Sequence, residues 1–327
     1  WADRDRFVLS AGHGSMLIYS LLYLTGYESV SLADIENFRQ LGASTPGHPE
    51  NFVTKGVETT TGPLGQGIAT SVGMAIAERH LNAQFGDDLV NHHTWVIAGD
   101  GCLMEGVSQE AITLAGHMKL NKLIVLWDDN NVTIDGTLDV ADQTDQLKRF
   151  ESAGWATAAI DGHDPAAIDQ ALEWAKSSDR PVMIACKTRI GYGAPNIEGT
   201  GPAHVGPYGA EEVAGIRTNI GWDHAPFVVP DDVLSSWRTA GARGAADREA
   251  WEKRLAASGD APKFQALLNN VIPAEFSDAM ALHKQEVSDG QAKKATRQWS
   301  GAALEVATKI LPGMIGGSAD LTGSNNT

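Results

Sequence analysis

Residues 94–101 read Thr94-Trp95-Val96-Ile97-Ala98-Gly99-Asp100-Gly101, and residues 123–131 read Leu123-Ile124-Val125-Leu126-Trp127-Asp128-Asp129-Asn130-Asn131. Each stretch opens on a short apolar run, 94–98 and 123–127, of the length of a buried strand, and closes on glycine, acidic or amide residues that stop it. A third such run occupies 181–185. Between them Val107, Ala111, Leu114, Ala115 and Met118 recur at helical spacing, as do Ile168, Leu172 and Ala175. Asp164-Pro165 supplies a cap and a first-turn proline for the second of these helices. Strands alternating with helices imply crossover units and an α/β fold with a doubly wound, mostly parallel sheet. Ligands then belong at the carboxyl ends of the strands.

Working outward, an apolar stripe through Leu64, Ile68, Val72, Ala75 and Ile76 predicts an earlier helix, entered by the turn Thr61-Gly62-Pro63. Ser31 and Asp34 have the spacing of a capping box. From Gly193 to Gly209 the chain is rich in Gly, Pro and His and reads as a long functional loop. Residues 230–285 turn helical and charged, with Trp251, Leu255 and Leu267 as packing points, and a new helix is expected over 296–310 before Gly316-Gly317-Ser318-Ala319-Asp320.

The composition, 43% hydrophobic and 20% charged over 327 residues, is that of a globular protein. A net charge of −16 argues against nucleic acid and anionic lipid as partners, which require a basic face. Cys102 and Cys186 are the only cysteines, too few for a disulfide framework, so a reducing, cytoplasmic setting is expected. No apolar run has the roughly 18 to 20 residues that span a bilayer, and residues 1–7 are unlike a signal peptide. Both ends, Trp1 and Thr327, read as cut.

The chemistry concentrates where the first two strands end. Gly-Asp-Gly or Asn-Asn alone is ordinarily a turn. Here each follows a buried strand, and the stretch between them holds one helix and one returning strand, so the two motifs converge. The Asp100 carboxylate, the Asn130 amide oxygen and the Val132 carbonyl are hard oxygen donors, a set suited to Mg²⁺ or Ca²⁺ completed by diphosphate oxygens and water. Gly99 and Gly101 allow the backbone to approach the diphosphate closely.

This pairing resembles the thiamine diphosphate motif, and residues 99–136 as a whole resemble transketolases. So do Arg6-Phe7-Val8-Leu9-Ser10-Ala11-Gly12-His13-Gly14-Ser15, Thr45-Pro46-Gly47-His48-Pro49-Glu50, Thr60-Thr61-Gly62-Pro63-Leu64-Gly65-Gln66-Gly67 and Ile190-Gly191-Tyr192-Gly193. The resemblance covers nearly the whole chain. It implies the thiamine diphosphate-binding fold, with a diphosphate- and metal-binding domain over 1–229, a helical connector over 230–291 and the truncated start of a pyrimidine-binding domain over 292–327.

By that resemblance Asp100, Asn130 and the Val132 carbonyl match the ligands of Mg²⁺, or of Ca²⁺ or Mn²⁺. His13, Gly101 and His204 match groups that contact the cofactor's diphosphate, although Gly201-Pro202-Ala203-His204-Val205-Gly206-Pro207 departs from the family's wording. Leu64 and Ile134 match residues packing the thiazolium ring, Gly62 a backbone contact to the cofactor, and Glu105 an acidic residue linking the two active sites of a homodimer. His48 matches a substrate-contacting histidine, and His13 is placed on the substrate as well. Arg297 and Ser324 match residues that bind the sugar phosphate, and Asp320 one near the cofactor in the second domain.

The activity so implied is transfer of a two-carbon ketol unit from a ketose phosphate to an aldose phosphate in the pentose phosphate pathway, with His48 and His204 moving protons. A family glutamate that protonates the aminopyrimidine ring falls beyond Thr327, and a further histidine upstream of Trp1, so the isolated chain is expected to be inactive. A dihydroxyacetone synthase would share these motifs, and a non-catalytic split subunit or binding module is the alternative outside enzymes. A dinucleotide-binding dehydrogenase is disfavoured, because Gly62 to Gly67 follows no strand.

Overall fold

Seven strands are β1 (Arg6–Leu9), β2 (Thr94–Gly99), β3 (Leu123–Asp129), β4 (Val132–Thr133), β5 (Gly136–Thr137), β6 (Ala156–Asp161) and β7 (Val182–Lys187) in this computed structural model, which describes residues 1–327. Five of them form one sheet in the order β1-β2-β3-β7-β6, every neighbouring pair parallel, while β4 and β5 make a small antiparallel hairpin. The three strands expected from apolar runs are β2, β3 and β7, the contiguous centre of the sheet. The two edge strands carry no such run: β1 is four residues long, and β6 carries alanines and threonine that stay half-exposed.

Compact packing divides the chain into Trp1–Glu252 and Lys253–Thr327. Helices α1 (Met16–Thr25), α2 (Leu32–Glu36), α3 (Gln66–Phe85), α4 (Asp100–Met104), α5 (Gly106–His117), α6 (Gln146–Ser152), α7 (Pro165–Lys176), α8 (Gly201–Val205), α9 (Ala210–Asn219) and α10 (Asp231–Ala242) belong to the first unit, and α11 (Ala245–Ala257) begins there. One face of the sheet, through Val96, Ala98, Val125, Trp127 and Met183, packs against Ile68 and Val72 of α3, Ile112 and Ala115 of α5, and Phe150 of α6. On the other face, Ile18 and Leu22 of α1 cover Leu9 and Ile97, and Ala171 and Ala175 of α7 cover Ile124 and Ile184. Helices on both faces make the winding double, as expected. No helix is long and apolar enough to cross a membrane.

Several local signals act as the sequence predicts. Ser31 and Asp34 form both bonds of a capping box, and Asp164 accepts from the Ala166 N–H at the start of α7. The helix expected from Leu64 begins instead at Gln66, because Gly65 sits at φ +81°, a left-handed conformation that ends the preceding turn. The loop read over 193–209 contains the short helix α8. The stretch from 230 is helical, but its first helices return to the first unit: Gly241 of α10 lies so close to Thr25 that a Cβ would overlap its carbonyl oxygen, and Trp251 Nε1 donates to the Leu89 carbonyl at 3.0 Å.

In the second unit, α12 (Ala261–Leu268) and α13 (Ala274–Gly290) precede α14 (Thr296–Ile310) and α15 (Thr322–Asn325). Phe264 is buried there and Leu267 abuts Gly313.

Candidate functional site

Asp100 is the first residue of α4, at the point where β2 ends. The register that places Gly99 opposite Asp128 sets the end of β3 beside it. Asp100 is only 6% exposed. Its Oδ1 accepts a 2.9 Å hydrogen bond from Trp127 Nε1, and its Oδ2 is buried without any partner. Desolvation pushes this carboxyl up to about 6; the Trp127 bond opposes the shift, and the neighbouring Asp129 and Asp128 add to it. A buried carboxylate oxygen left unsatisfied is costly, and a cation bound at Oδ2 would relieve it.

Past β3 the chain turns at Asn131, φ +63°, and enters the β4–β5 hairpin. Asn130 Oδ1 accepts from the Val132 N–H at 3.0 Å, while its Nδ2 donates to Asp128 Oδ2 at 2.9 Å. The amide oxygen therefore faces away from Asp128. No group of three or more His, Cys, Asp and Glu side chains is arranged to hold a metal ion. The expected donor set contains only one such side chain, so it holds a cation only if phosphate oxygens complete the shell. The chemistry of Asp100 Oδ2, the Asn130 amide and the Val132 carbonyl fits a hard divalent ion.

Three loops close on these strand ends. A Cβ on Gly12, in the turn after β1, would lie 2.7 Å from the Gly62 nitrogen, and one on Gly62, at φ +146°, would lie 3.1 Å from His48 Cγ. One on Gly101 would lie 2.8 Å from Leu64 Cδ1. The loop bearing His48 is held by Ser15 Oγ donating to the Gly47 carbonyl at 2.9 Å and Tyr19 Oη donating to the Pro46 carbonyl at 2.8 Å.

His13 and His204 bring their ring centroids to 5.0 Å, tilted by 34°. Burial lowers the His13 pKa below the usual imidazole value, the nearby His204 and His48 lower it further, and Asp128 pulls the other way. A neutral His13 is thus available as a hydrogen-bond donor at neutral pH. Sequence-predicted residues from six separate segments, His13, His48, Gly62, Leu64, Asp100, Gly101, Asn130 and His204, meet here.

The remaining predicted residues stand apart from this tight group or in the second unit. Ile134, at the hairpin tip, is 67% exposed. Glu105 is exposed at the start of α5, with its Cβ against Gly65. Arg297 in the first turn of α14, Ser324 in α15 and Asp320, at φ +61°, are exposed members of the second unit. Two residues that sequence reasoning did not single out for the site are in it. Trp127 read only as strand, and Asp128 read only as part of the polar stop; its position two residues before Asn130 was the available signal.

Comparison with known proteins decides the family. The family described as transketolase, thiamine diphosphate binding domain, matches residues 1–276. The chain belongs to the transketolase family. It is 53% identical to a transketolase of Rhodobacter capsulatus over 100% of this chain and 49% of that one, and 54% identical to a transketolase of Cereibacter sphaeroides over 100% and 50%. Among solved structures, transketolase from Leishmania mexicana superposes with a TM-score of 0.90 at 40% identity, covering 99% of this chain and 49% of that one. A Pichia stipitis transketolase in complex with sedoheptulose 7-phosphate gives 0.92 at 39% identity, covering 100% and 49%.

The parallel sheet with its flanking helices is therefore the thiamine diphosphate-binding fold of transketolases, and this chain carries that family's thiamine diphosphate-binding domain. The chain spans about half the length of the curated transketolases it matches.

Trp127 has a testable part in this candidate site. Trp127→Phe keeps the ring against the core but removes the hydrogen bond to the Asp100 side chain; with Asp100 as the expected cation donor, Mg²⁺-dependent thiamine diphosphate affinity is expected to fall about tenfold, the loss typical of outer partners of metal ligands. Calorimetric titration of the purified variant checks it; unchanged affinity would show that the indole is packing alone.

Proposed function

We propose that this chain is the diphosphate- and metal-binding part of a transketolase that moves two-carbon ketol units between phosphorylated sugars in the cytoplasmic pentose phosphate pathway. The observation that carries the reading is Asp100: a buried carboxylate with one bare oxygen, at the convergence of two strand ends, in a chain similar to transketolases from end to end.

In this reading Asp100, Asn130 and the Val132 carbonyl hold Mg²⁺, with Ca²⁺ or Mn²⁺ as substitutes, and His13, Gly101 and His204 hold the diphosphate. Leu64 and Ile134 flank the thiazolium ring, Gly62 supplies a backbone contact and Asp320 stands near the cofactor. Thiamine diphosphate, when bound, supplies the nucleophilic carbon and the electron sink for breaking and making the ketol carbon–carbon bond. The protein's own share is positioning and proton handling. His48 and His204 accept and return protons at the substrate oxygens, a task for which imidazole suits neutral pH. Arg297 and Ser324 bind the sugar phosphate, the guanidinium by its planar fork.

Two copies share each active site, with Glu105 in the link between them. Because half of the relatives' length is absent from these 327 residues, the chain alone binds cofactor weakly and does not turn over. Titrating thiamine diphosphate into the chain with Mg²⁺ and with EDTA, beside an assay for ketol transfer, tests this. Binding that needs Mg²⁺, without turnover, is expected. Binding indifferent to Mg²⁺ would sink the metal site, and robust turnover would sink the claim that further domains are required.

A further inference from the structure

Asp128, the penultimate residue of β3, is half-buried, and both of its carboxylate oxygens are engaged. Oδ2 accepts from Asn130 Nδ2 at 2.9 Å, and Oδ1 accepts from the hydroxyl of Thr188, the residue following β7. Thr188 is itself fixed to β3, its N–H donating to the Asp129 carbonyl at 3.3 Å. Lys187, the nearest cation on that strand, pairs with Asp129 at 3.2 Å, and Asp128 has no ion pair.

An amide side chain has chemically opposite ends, and turning it over exchanges an acceptor for a donor. A carboxylate only accepts, so the end of Asn130 that faces Asp128 must be Nδ2. Oδ1 is then forced to the opposite side, where it meets the Val132 N–H. Thr188 holds the far oxygen and stops the carboxylate from rotating away. Without Asp128, the single Val132 N–H bond is all that opposes turning of the Asn130 amide, and its NH₂ can swing toward a cation, which repels it.

We propose that Asp128, braced by Thr188, is a positioning residue that fixes the polarity of the Asn130 amide so that Oδ1 faces the divalent cation at the β2 and β3 strand ends. The assignment rests on the metal-site reading above. It extends the site by one layer, to the strand that follows on the other side of β3, and Asp128 itself touches neither cation nor substrate.

The test is a double-substitution cycle read as the Mg²⁺ concentration that half-saturates thiamine diphosphate binding in calorimetry. Asp128→Ala is expected to raise that concentration about 10- to 100-fold, the range for lost outer partners of metal ligands. In an Asn130→Asp background both ends of side chain 130 accept, no polarity remains to be fixed, and adding Asp128→Ala is expected to leave affinity unchanged or improve it by removing a like charge. Thr188→Val should follow the same pattern with a smaller loss, and it serves as the probe if Asp128→Ala does not fold. Equal losses in both backgrounds would reduce Asp128 to a structural role and overturn the proposal, as would no loss in the Asn130 background. If the unsubstituted chain shows no Mg²⁺-dependent binding, the metal-site reading itself falls and this assignment with it.

Discussion

Asp100→Asn is expected to abolish Mg²⁺-dependent binding of thiamine diphosphate and, in the same protein stripped of metal, to change how stability depends on pH. The first effect follows because Asp100 is the one charged side chain in the donor set. The second follows from its burial. The carboxyl titrates near 3.8 when unfolded and at about 6 when folded, so the folded protein holds its proton more tightly. Ionised Asp100 therefore costs stability: the penalty is absent below the unfolded value, grows as pH rises through the interval and is fully present above about 6. A rise of that size corresponds to about 3 kcal/mol.

Asparagine never ionises and lacks this penalty, though its buried NH₂ group is left unpaired, at a cost of roughly 1 to 3 kcal/mol. The absolute gain can be small, but the difference between variant and parent must grow in the variant's favour, by on the order of 3 kcal/mol, from pH 4 to pH 7.5 in EDTA. Urea unfolding at the two pH values measures it. A pH-independent difference would mean that the Asp100 carboxyl titrates normally and that no strained oxygen awaits a cation.

Gly116→Ala is expected to lower the stability of the first unit by about 2 kcal/mol. Gly116 lies on the face of α5 that crosses the turn at Ala153, and a Cβ there would sit 1.8 Å from the Ala153 carbonyl oxygen and 3.1 Å from Trp155 Cδ1. The crossing cannot open easily. One helical turn earlier, the Ile112 carbonyl accepts from Trp155 Nε1 at 2.8 Å, and Trp155 stacks edge-on against Phe150 with centroids 5.0 Å apart.

Overpacking of this kind costs roughly 3 kcal/mol, against about 1 kcal/mol gained by replacing glycine with alanine in a helix. Gly73, on α3, has nothing within 4 Å of a Cβ, so Gly73→Ala isolates the second term and is expected to stabilise by up to about 1 kcal/mol. Chemical unfolding of the two variants in parallel separates sterics from propensity, and a stabilised Gly116→Ala would show that α5 can lift from the Ala153 turn without loss.

Some of this is legible in the sequence alone. β2, β3 and β7 are covered on both faces, which demands continuous apolar runs, and such runs stand out in sequence. β1 and β6 lie at the edges: in Arg6–Leu9 the apolar run is only three residues long and does not stand out, and the alanine-rich, half-exposed Ala156–Asp161 lacks a strand's pattern. The caps at Ser31 and Asp164 are readable because their partners lie two or three residues away.

The site divides along the same line. Asp100 and Asn130 could be placed from sequence alone, since each directly follows a recognisable strand and the winding of the sheet sends both strand ends the same way. Whether His13, His48 and His204 meet could not, because they lie on separate loops whose closure depends on contacts such as Gly12 against Gly62 and Tyr19 against Pro46. The bare oxygen of Asp100 and the fixed face of the Asn130 amide likewise exist only once β3 and β7 are packed, with Trp127, Asp128 and Thr188 in place. The order of residues determined which donors stand at the strand ends. Burial, which depends on everything packed around them, decided which of those donors are left unsatisfied and which way they point.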